Sequence, residues 1–244
     1  MGVRDGDEYA AAASAYDLFA AAGREARLAA IDELVPRLRP EAGPVLDVGA
    51  GSGVHAARIL DLLPGARVLA LEPSRAMRSL ALSRIAARPD WHPRVTVRPE
   101  DFFSASLPAR IGGALLLGVI GHFDAGERAA VLAELAVRLP AGGAALLDLP
   151  RPERPRRIEP SAFTVATIGE LTYRGIAEAW PVDAEVMRWR TTYLCLDGER
   201  VLTEDTAECD YRHPAPAVVA AEAGEVGLRL APLADGTHWL AGRA

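Results

Sequence analysis

Three glycines and one acid stand at the junction between an apolar run and a helical segment, a pattern with a clear chemical meaning. The stretch reads Val45-Leu46-Asp47-Val48-Gly49-Ala50-Gly51-Ser52-Gly53. Glycine lets the backbone turn sharply and approach a ligand, and the helix start that follows offers free N–H groups. We therefore expect a nucleotide-like cofactor at this loop, held by Gly49, Ala50, Gly51 and Gly53.

The acid in this stretch indicates which cofactor to expect. A dinucleotide fingerprint reads G-x-G-x-x-G, whereas this loop reads G-x-G-x-G. Asp47 stands two residues before the first glycine, where a carboxylate repels a pyrophosphate and attracts a cation. NAD is therefore disfavoured, and S-adenosylmethionine, with a sulfonium, an ammonium and no phosphate, suits the loop. On these residues the stretch resembles the first motif of class I S-adenosylmethionine-dependent methyltransferases.

The resemblance implies roles for acids that follow the next two predicted strands. Glu72, with Pro73 beside it, matches the acid that accepts both ribose hydroxyls. Asp101 matches the acid that accepts from the adenine amino group, and Phe102 is expected beside the ring. Glu100 is an alternative to Asp101 in that role, and an Asx turn is the structural alternative for Asp101.

Two further segments complete the cofactor site that the resemblance implies. The loop 117–123 matches the one beside the methionine part of the cofactor, with Gly118 allowing a close approach of the backbone. Tyr9 and Tyr16 resemble the aromatic residues of a helical lid, although plain core packing explains either tyrosine equally well. The resemblance covers residues 8–150.

His122, at the end of the loop 117–123, is the first candidate for a catalytic base. Its ordinary pKa suits proton transfer near neutral pH. Packing under the cofactor, or capping the next helix, is the alternative for His122. We consider His213 a second histidine that could face the pocket, and we place His55 on the helix after the glycine loop.

Most of the Tyr and Trp residues of the chain are concentrated in residues 151–213, which we interpret as an antiparallel insertion. Such a concentration suits a wall over an acceptor pocket, but it also suits a dimer interface or simple packing on the core. An arm inserted after the fifth strand resembles the arrangement in small-molecule N-methyltransferases. The predicted substrate-binding residues, with His122, are Tyr173, Trp189, Tyr193, Tyr211 and His213.

Strand and helix patterns alternate through the first 150 residues, which predicts a doubly wound, Rossmann-like parallel sheet. We expect residues 1–150 to form the cofactor-binding core, with two N-terminal helices broken near Gly23. In the insertion we predict strands at 166–173, 186–196 and 200–212, the last two joined by a hairpin at Asp197-Gly198. Residues 214–244 are expected to return to the core sheet as a helix and two strands.

Composition excludes several classes of function. The net charge is −6, and no basic tract with interleaved aromatic residues is present, so nucleic-acid binding lacks its electrostatic signature. No stretch is long and apolar enough to span a membrane, and the acidic start is unlike a signal peptide, which predicts a cytoplasmic protein. The scattered His and Cys residues predict no metal site. Arginine as the sole basic residue, with abundant alanine, is typical of high-GC bacteria.

These observations lead to one main hypothesis and two alternatives. We expect a methyltransferase that moves a methyl from S-adenosylmethionine to a small molecule, natural product or short modified peptide, leaving S-adenosylhomocysteine. An amine acceptor is favoured over a hydroxyl. The alternatives are a cyclase or rearrangement enzyme that uses the bound sulfonium without transfer, and a non-catalytic cofactor-binding module. A homodimer through the insertion is expected if its strand edges pair.

Overall fold

The N-terminal segment of the protein is a row of three helices. The structure, a computed structural model, describes residue 7 and residues 9–243. The helices are α1 (Ala10–Ala13), α2 (Tyr16–Phe19) and α3 (Ala21–Leu34). The predicted break near Gly23 is wrong, because Gly23 lies inside α3 and the breaks fall at Ala15 and Ala20. A single glycine costs a helix only about 1 kcal/mol, and burial of Ile31 and Leu34 stabilises α3 against it.

Strands and helices then alternate, as predicted. They are β1 (Val45–Val48), α4 (Val54–Leu62), β2 (Val68–Leu71), α5 (Arg75–Ala86), β3 (Val95–Arg98), β4 (Gly113–Leu116), α6 (Ala125–Arg138) and β5 (Ala144–Asp148). The five strands pair in parallel in the order β3-β2-β1-β4-β5. The Ser74 hydroxyl caps α5 by accepting a hydrogen bond from the Met77 N–H at 3.0 Å.

A separate antiparallel sheet follows β5 in the chain. Its four strands, in sequence order, are β6 (Ile158–Ile168), β7 (Leu171–Pro181), β8 (Val186–Asp197) and β9 (Arg200–Arg212). The predicted strand at 166–173 is wrong, because those residues end β6, turn at Gly169 and begin β7. The positive φ of Gly169, +60°, allows this tight turn. The predicted hairpin is confirmed, since Asp197 pairs with Arg200 across Gly198.

The chain finally returns to the first sheet, as predicted. After α7 (Pro216–Glu225), the strands β10 (Leu228–Pro232) and β11 (His238–Arg243) form a hairpin, and β11 pairs antiparallel with β5. The result is a seven-stranded, mostly parallel sheet, so the predicted Rossmann-like fold class is confirmed.

The core lies on both faces of the seven-stranded sheet. Leu46 of β1 packs with the α6 and α7 side, while Val45 packs with the α3 and α4 side. A strand buried on both faces is apolar throughout, apart from residues that serve a site; in β1 the exception is Asp47. None of the helices in the described part of the chain is long and apolar enough to cross a membrane.

Candidate active site

The glycine loop between β1 and α4 has a backbone that only glycine adopts easily. Gly49, Gly51 and Gly53 have φ values of +64°, +56° and +77°. A Cβ on Gly49 would stand 2.4 Å from Cγ1 of Val119. The loop therefore brings bare backbone to the carboxyl edge of the sheet, at the position where open α/β sheets bind ligands.

A pocket of about 500 Å³ opens over this loop. Its walls come from Tyr9, the helices α2 and α3, the glycine loop, and the residues that follow β2, β3 and β4. The predicted cofactor residues that line it are Tyr16, Gly49, Ala50, Gly51, Glu72, Pro73, Asp101, Phe102 and Gly118, together with the predicted base His122.

Glu72 is the polar centre of the pocket floor. One carboxylate oxygen accepts from the Gly51 N–H at 2.7 Å, and the other accepts from the Ser74 N–H at 2.8 Å. Burial raises the pKa of Glu72 above its ordinary value, although these two N–H groups oppose the rise. Each carboxylate oxygen has a second lone pair, so Glu72 can hold the loop and still accept from two ligand hydroxyls.

Asp101 and Phe102 lie at the pocket wall after β3. One Asp101 oxygen accepts from the backbone N–H of Phe103 and Ser104, at 3.0 and 2.8 Å, and so forms the Asx turn that was the structural alternative. This turn does not use the other oxygen. Phe102 is buried beside it, whereas Glu100 is ion-paired with Arg98.

Two predicted cofactor residues are not in the pocket lining. Asp47 is only 1% exposed and lies beneath the loop, where burial and the nearby Glu72 raise its pKa to about 7. Gly53 caps α4 and packs on α5, since a Cβ there would be 3.2 Å from the Cβ of Ala81. Both residues lie behind the loop and not on the pocket surface, so their direct contact with a cofactor stays a prediction.

The turn after β4 is held by an acid from β5. The Gly118 N–H donates to Asp148 at 2.7 Å, and the φ of Gly118 is +74°. Asp148 also lies 3.8 Å from the guanidinium of Arg27. Burial raises the pKa of Asp148, while the Gly118 N–H, Arg27 and His238 oppose the rise. Asp148 thus links the pocket wall to α3, a role that the sequence analysis missed.

The predicted base meets the predicted lid. The Tyr9 hydroxyl lies 2.9 Å from Nε2 of His122, and the Tyr9 and Tyr16 rings meet edge to face at 6.5 Å. Burial, with smaller effects from Tyr211 and Tyr16, raises the pKa of Tyr9 well above its ordinary value. Tyr9 therefore stays protonated at neutral pH and can act as a hydrogen-bond donor in this pair.

The antiparallel sheet reaches His122 through one of its predicted aromatic residues. The Tyr211 ring lies edge to face with His122 at 4.8 Å, and it packs so closely on Gly121 that a Cβ there would be 2.2 Å from the ring. Tyr193 instead packs on Phe19 of α2, with ring centres 4.7 Å apart. Tyr211 therefore stands behind the predicted base, whereas Tyr193 supports the lid.

The remaining predicted substrate residues lie away from the pocket lining. His213 Nδ1 lies 2.7 Å from the Pro152 carbonyl oxygen, and its Nε2 accepts from the Trp189 indole N–H at 3.2 Å. Burial lowers the pKa of His213. Both ring nitrogens are thus used in fixing the connection between the sheets. Tyr173 shares the inner face of the sheet with Trp189, since it pairs with Cys195 on β8.

Two arginines and one histidine that the sequence analysis did not assign to the cofactor also line the pocket. Arg24 and Arg27 project from α3, and His55 projects from α4. Burial, together with Arg27, His238 and Arg24, lowers the pKa of His55 to about 4. The spacing of Arg24 and Arg27, three residues apart on a helix, was the available signal that both side chains share one face.

Comparison with known proteins agrees with this geometry. Residues 45–143 match the family described as "Methyltransferase domain". The chain carries a methyltransferase domain. The predicted resemblance is thereby confirmed, as is S-adenosylmethionine as the cofactor of this methyltransferase domain. No curated protein sequence matches the chain.

Solved structures share the fold of the methyltransferase domain and of the antiparallel sheet. DesVI from Streptomyces venezuelae has a TM-score of 0.76 at 21% identity, covering 96% of this chain and 98% of its own. The sugar N-methyltransferase KedS8 from Streptoalloteichus sp. has 0.69 at 23%, covering 93% and 92%. CalS10 from Micromonospora echinaspora, an amino pentose methyltransferase solved with S-adenosylmethionine bound, has 0.67 at 21%, covering 99% and 93%.

Proposed function

We propose that this protein transfers a methyl group from S-adenosylmethionine to an amine of a small natural product, with an amino sugar as the acceptor class that fits best. One observation carries the proposal. A single pocket joins the glycine loop and Glu72, on the β2 side of β1, to the Tyr9–His122 pair on its β4 side. The residues expected to hold the cofactor and the residues expected to accept a proton thus line the same pocket.

The pocket residues fit the cofactor part by part. Glu72 has lone pairs left for the ribose hydroxyls, and Asp101 and Phe102 form a polar and an aromatic edge for adenine. Arg24 and Arg27 supply guanidinium groups for the methionine carboxylate. When bound, the cofactor supplies a methyl group activated by the sulfonium.

The residues of the chain itself position the two substrates and accept one proton. The nitrogen lone pair of the acceptor forms the new N–C bond as the C–S bond breaks, and that electron pair stays on sulfur. An amine proton must then leave, and we assign its acceptance to the Tyr9–His122 pair: the Tyr9 oxygen takes the amine proton as its own proton passes to Nε2 of His122, 2.9 Å away. Tyr211, packed edge to face on His122, limits the imidazole to one orientation.

The choice of an amine rests on likeness. KedS8 is a sugar N-methyltransferase and CalS10 an amino pentose methyltransferase, and both match this chain over more than nine-tenths of its length. A neutral amine also needs less help from the enzyme than a hydroxyl, which usually gains from a general base. A hydroxyl acceptor would place a greater demand on His122.

Calorimetric titration tests the cofactor half of the proposal. We expect S-adenosylmethionine and S-adenosylhomocysteine to bind and NAD not to bind. Glu72→Gln should weaken S-adenosylhomocysteine by about tenfold or more, because an acceptor of charge-assisted hydrogen bonds becomes neutral. Glu134→Gln, on the exposed side of α6, is the matched control and should bind as the wild type does.

A mass-shift screen tests the acceptor half. Amino sugars, their hydroxyl analogues and short modified peptides are incubated with the protein and S-adenosylmethionine. We expect a gain of one methylene equivalent on amines and a lower rate for His122→Gln. Methylation of hydroxyl analogues alone would refute the amine assignment, and conversion without a change in mass would refute methyl transfer.

A further inference from the structure

Two aspartates flank the lid tyrosines Tyr9 and Tyr16 in the sequence, and both contact α5. The Asp7 carboxylate accepts from the Ala76 N–H at 2.9 Å, in the first turn of α5. The Asp17 carboxylate is ion-paired with Arg84, in the last turn of α5. The lid is therefore fastened at two points to the helix that begins just after Glu72.

The attachment at Asp17 also includes the glycine loop. The Ser52 hydroxyl donates to an Asp17 oxygen at 2.6 Å, and Arg84 donates to the Ser52 carbonyl oxygen at 3.0 Å. Arg24 of α3 donates to the Asp17 carbonyl oxygen at 2.5 Å. Ser52 is buried, so this group of residues joins the lid, the glycine loop and α5 in one hydrogen-bonded triangle.

The attachment at Asp7 uses the free N–H groups of a helix start. A carboxylate at the N-terminus of α5 interacts favourably with the helix dipole. Burial alone would raise the pKa of Asp7, but hydrogen bonds from Ala76, Ser74 and Tyr9 outweigh it and lower the pKa. Asp7 is therefore charged at neutral pH, as an N–H acceptor in this position should be.

The chain between the two aspartates cannot hold its own position. The helices α1 and α2 contain four residues each. Helices this short do not form alone in water, because the cost of the first turn exceeds the gain of one or two hydrogen bonds. The placement of Tyr9 and Tyr16 over the pocket thus depends on the contacts that fix the two ends of this segment and on Tyr211 and Phe163 behind it.

We propose that Asp7 and Asp17 are positioning residues that clamp the lid, here residues 9–20, over the pocket. Bound cofactor leaves only when these two contacts open. This inference rests on the proposed function, since it takes the pocket to be the cofactor site. It adds that the residence time of the cofactor is set by two carboxylates that hold the lid on α5.

Dissociation kinetics of S-adenosylhomocysteine from the full chain test the clamp. Stopped-flow displacement is measured for Asp7→Asn, Asp17→Asn and the double variant. Each single change neutralises a carboxylate whose charge-assisted contacts hold the lid on α5, so we expect dissociation to become about five- to tenfold faster, and faster again in the double variant. Asp32→Asn is the matched control, because the exposed Asp32 carboxylate of α3 pairs with Arg58 of α4 and neither residue lines the pocket.

Hydrogen exchange of the ligand-free chain separates the clamp from the proposed function. Residues 9–20 should exchange faster in Asp17→Asn than in wild type, while β1 and β4 exchange equally in both proteins. Failure of the wild type to bind S-adenosylhomocysteine would refute the proposed function, and the exchange data would still test the clamp. Dissociation rates like those of Asp32→Asn, or unchanged exchange over residues 9–20, would overturn the clamp.

Discussion

The parallel sheet and the antiparallel sheet use their acidic side chains in different ways. At the carboxyl edge of the parallel sheet, acids accept from backbone N–H groups: Glu72 holds Gly51, and Asp148 holds Gly118. On the antiparallel sheet, acids pair with guanidinium groups in the open, as Glu208 does with an Arg190 side chain that is 44% exposed. Acids in the first region shape the backbone around a ligand, whereas acids in the second keep one face hydrated.

The inner face of the antiparallel sheet, opposite to these exposed ion pairs, contacts residues of the site. Tyr193 and Tyr211 stand on this inner face, against Phe19 of the lid and against His122. The cofactor side of the pocket is therefore made of loop backbone, while its far side is supported by side chains from distant parts of the chain. Changes in the two regions should separate cofactor affinity from stability.

A pair of glycine substitutions should produce the largest separation. Gly49→Ala combines a positive φ with a Cβ only 2.4 Å from Val119, so we expect a loss of about 2–4 kcal/mol in the free energy of unfolding and at least tenfold weaker S-adenosylhomocysteine. Gly121→Ala displaces the Tyr211 ring, 2.2 Å from the new Cβ, and should cost about 1–3 kcal/mol with affinity kept within threefold. Urea unfolding and calorimetry measure both effects.

Gly65→Ala is the matched control for this pair, because nothing lies within 4 Å of its Cβ position and its φ is not positive. It should leave both measurements at wild-type values. If Gly121→Ala abolished binding while Gly49→Ala preserved it, the division between a cofactor side and an acceptor side would be wrong.

The residues at the edge of the parallel sheet were easier to predict from the sequence than those of the antiparallel sheet. The glycine loop, Glu72 and Asp101 each lie directly after a strand, so their common edge follows from the alternation of strands and helices alone. Local spacing therefore predicted the fold class, and nine of the eleven predicted cofactor residues line the pocket. Local spacing does not place the Asp47 side chain, because a strand pattern does not reveal whether a carboxylate within the strand faces the pocket or lies beneath the loop.

Long-range pairing explains the failures. The sequence placed Tyr173, Trp189, Tyr193 and Tyr211 together in an insertion, but the register of the strands and their docking on the lid decide which of them reaches His122. The strand predicted at 166–173 failed because β-branched residues on both sides of Gly169 concealed a turn. The roles of Arg27 and Asp148 depend on a contact between α3 and β5, which no local pattern encodes.

The pH dependence of stability should also distinguish the two regions. Between pH 4 and 6.5, native Asp47, with a pKa of about 7, holds a proton that the unfolded chain has lost, so its contribution to stability falls as pH rises. Native His55, with a pKa of about 4, lacks a proton that the unfolded chain holds, so its contribution rises with pH. The two slopes, each about 1.4 kcal/mol per pH unit at most, oppose each other.

Single variants should reveal the two slopes. Relative to wild type between pH 4.5 and 6.5, the free energy of unfolding should rise more steeply with pH in Asp47→Asn and fall with pH in His55→Gln. Asp210→Asn is the control from the other sheet, because the hydrogen bond from Arg188 lowers the pKa of Asp210 and confines its effect to lower pH. Parallel curves for all four proteins in urea unfolding would contradict the assignment of these shifts.

The exposed pairs of the antiparallel sheet should give the smallest effect. Arg190 contacts Glu208 at 2.7 Å and Glu178 at 3.2 Å, and hydrogen bonding to Glu208 raises its pKa. Solvent screens such pairs, so Arg190→Ala should lower the Tm by less than about 2 °C and leave S-adenosylhomocysteine affinity unchanged. The difference should shrink further in 1 M salt, where the screening length is about 3 Å. A Tm shift that persists in salt would instead indicate that Arg190 stabilises the protein by packing on Trp180, whose ring centre lies 5.2 Å from the guanidinium carbon.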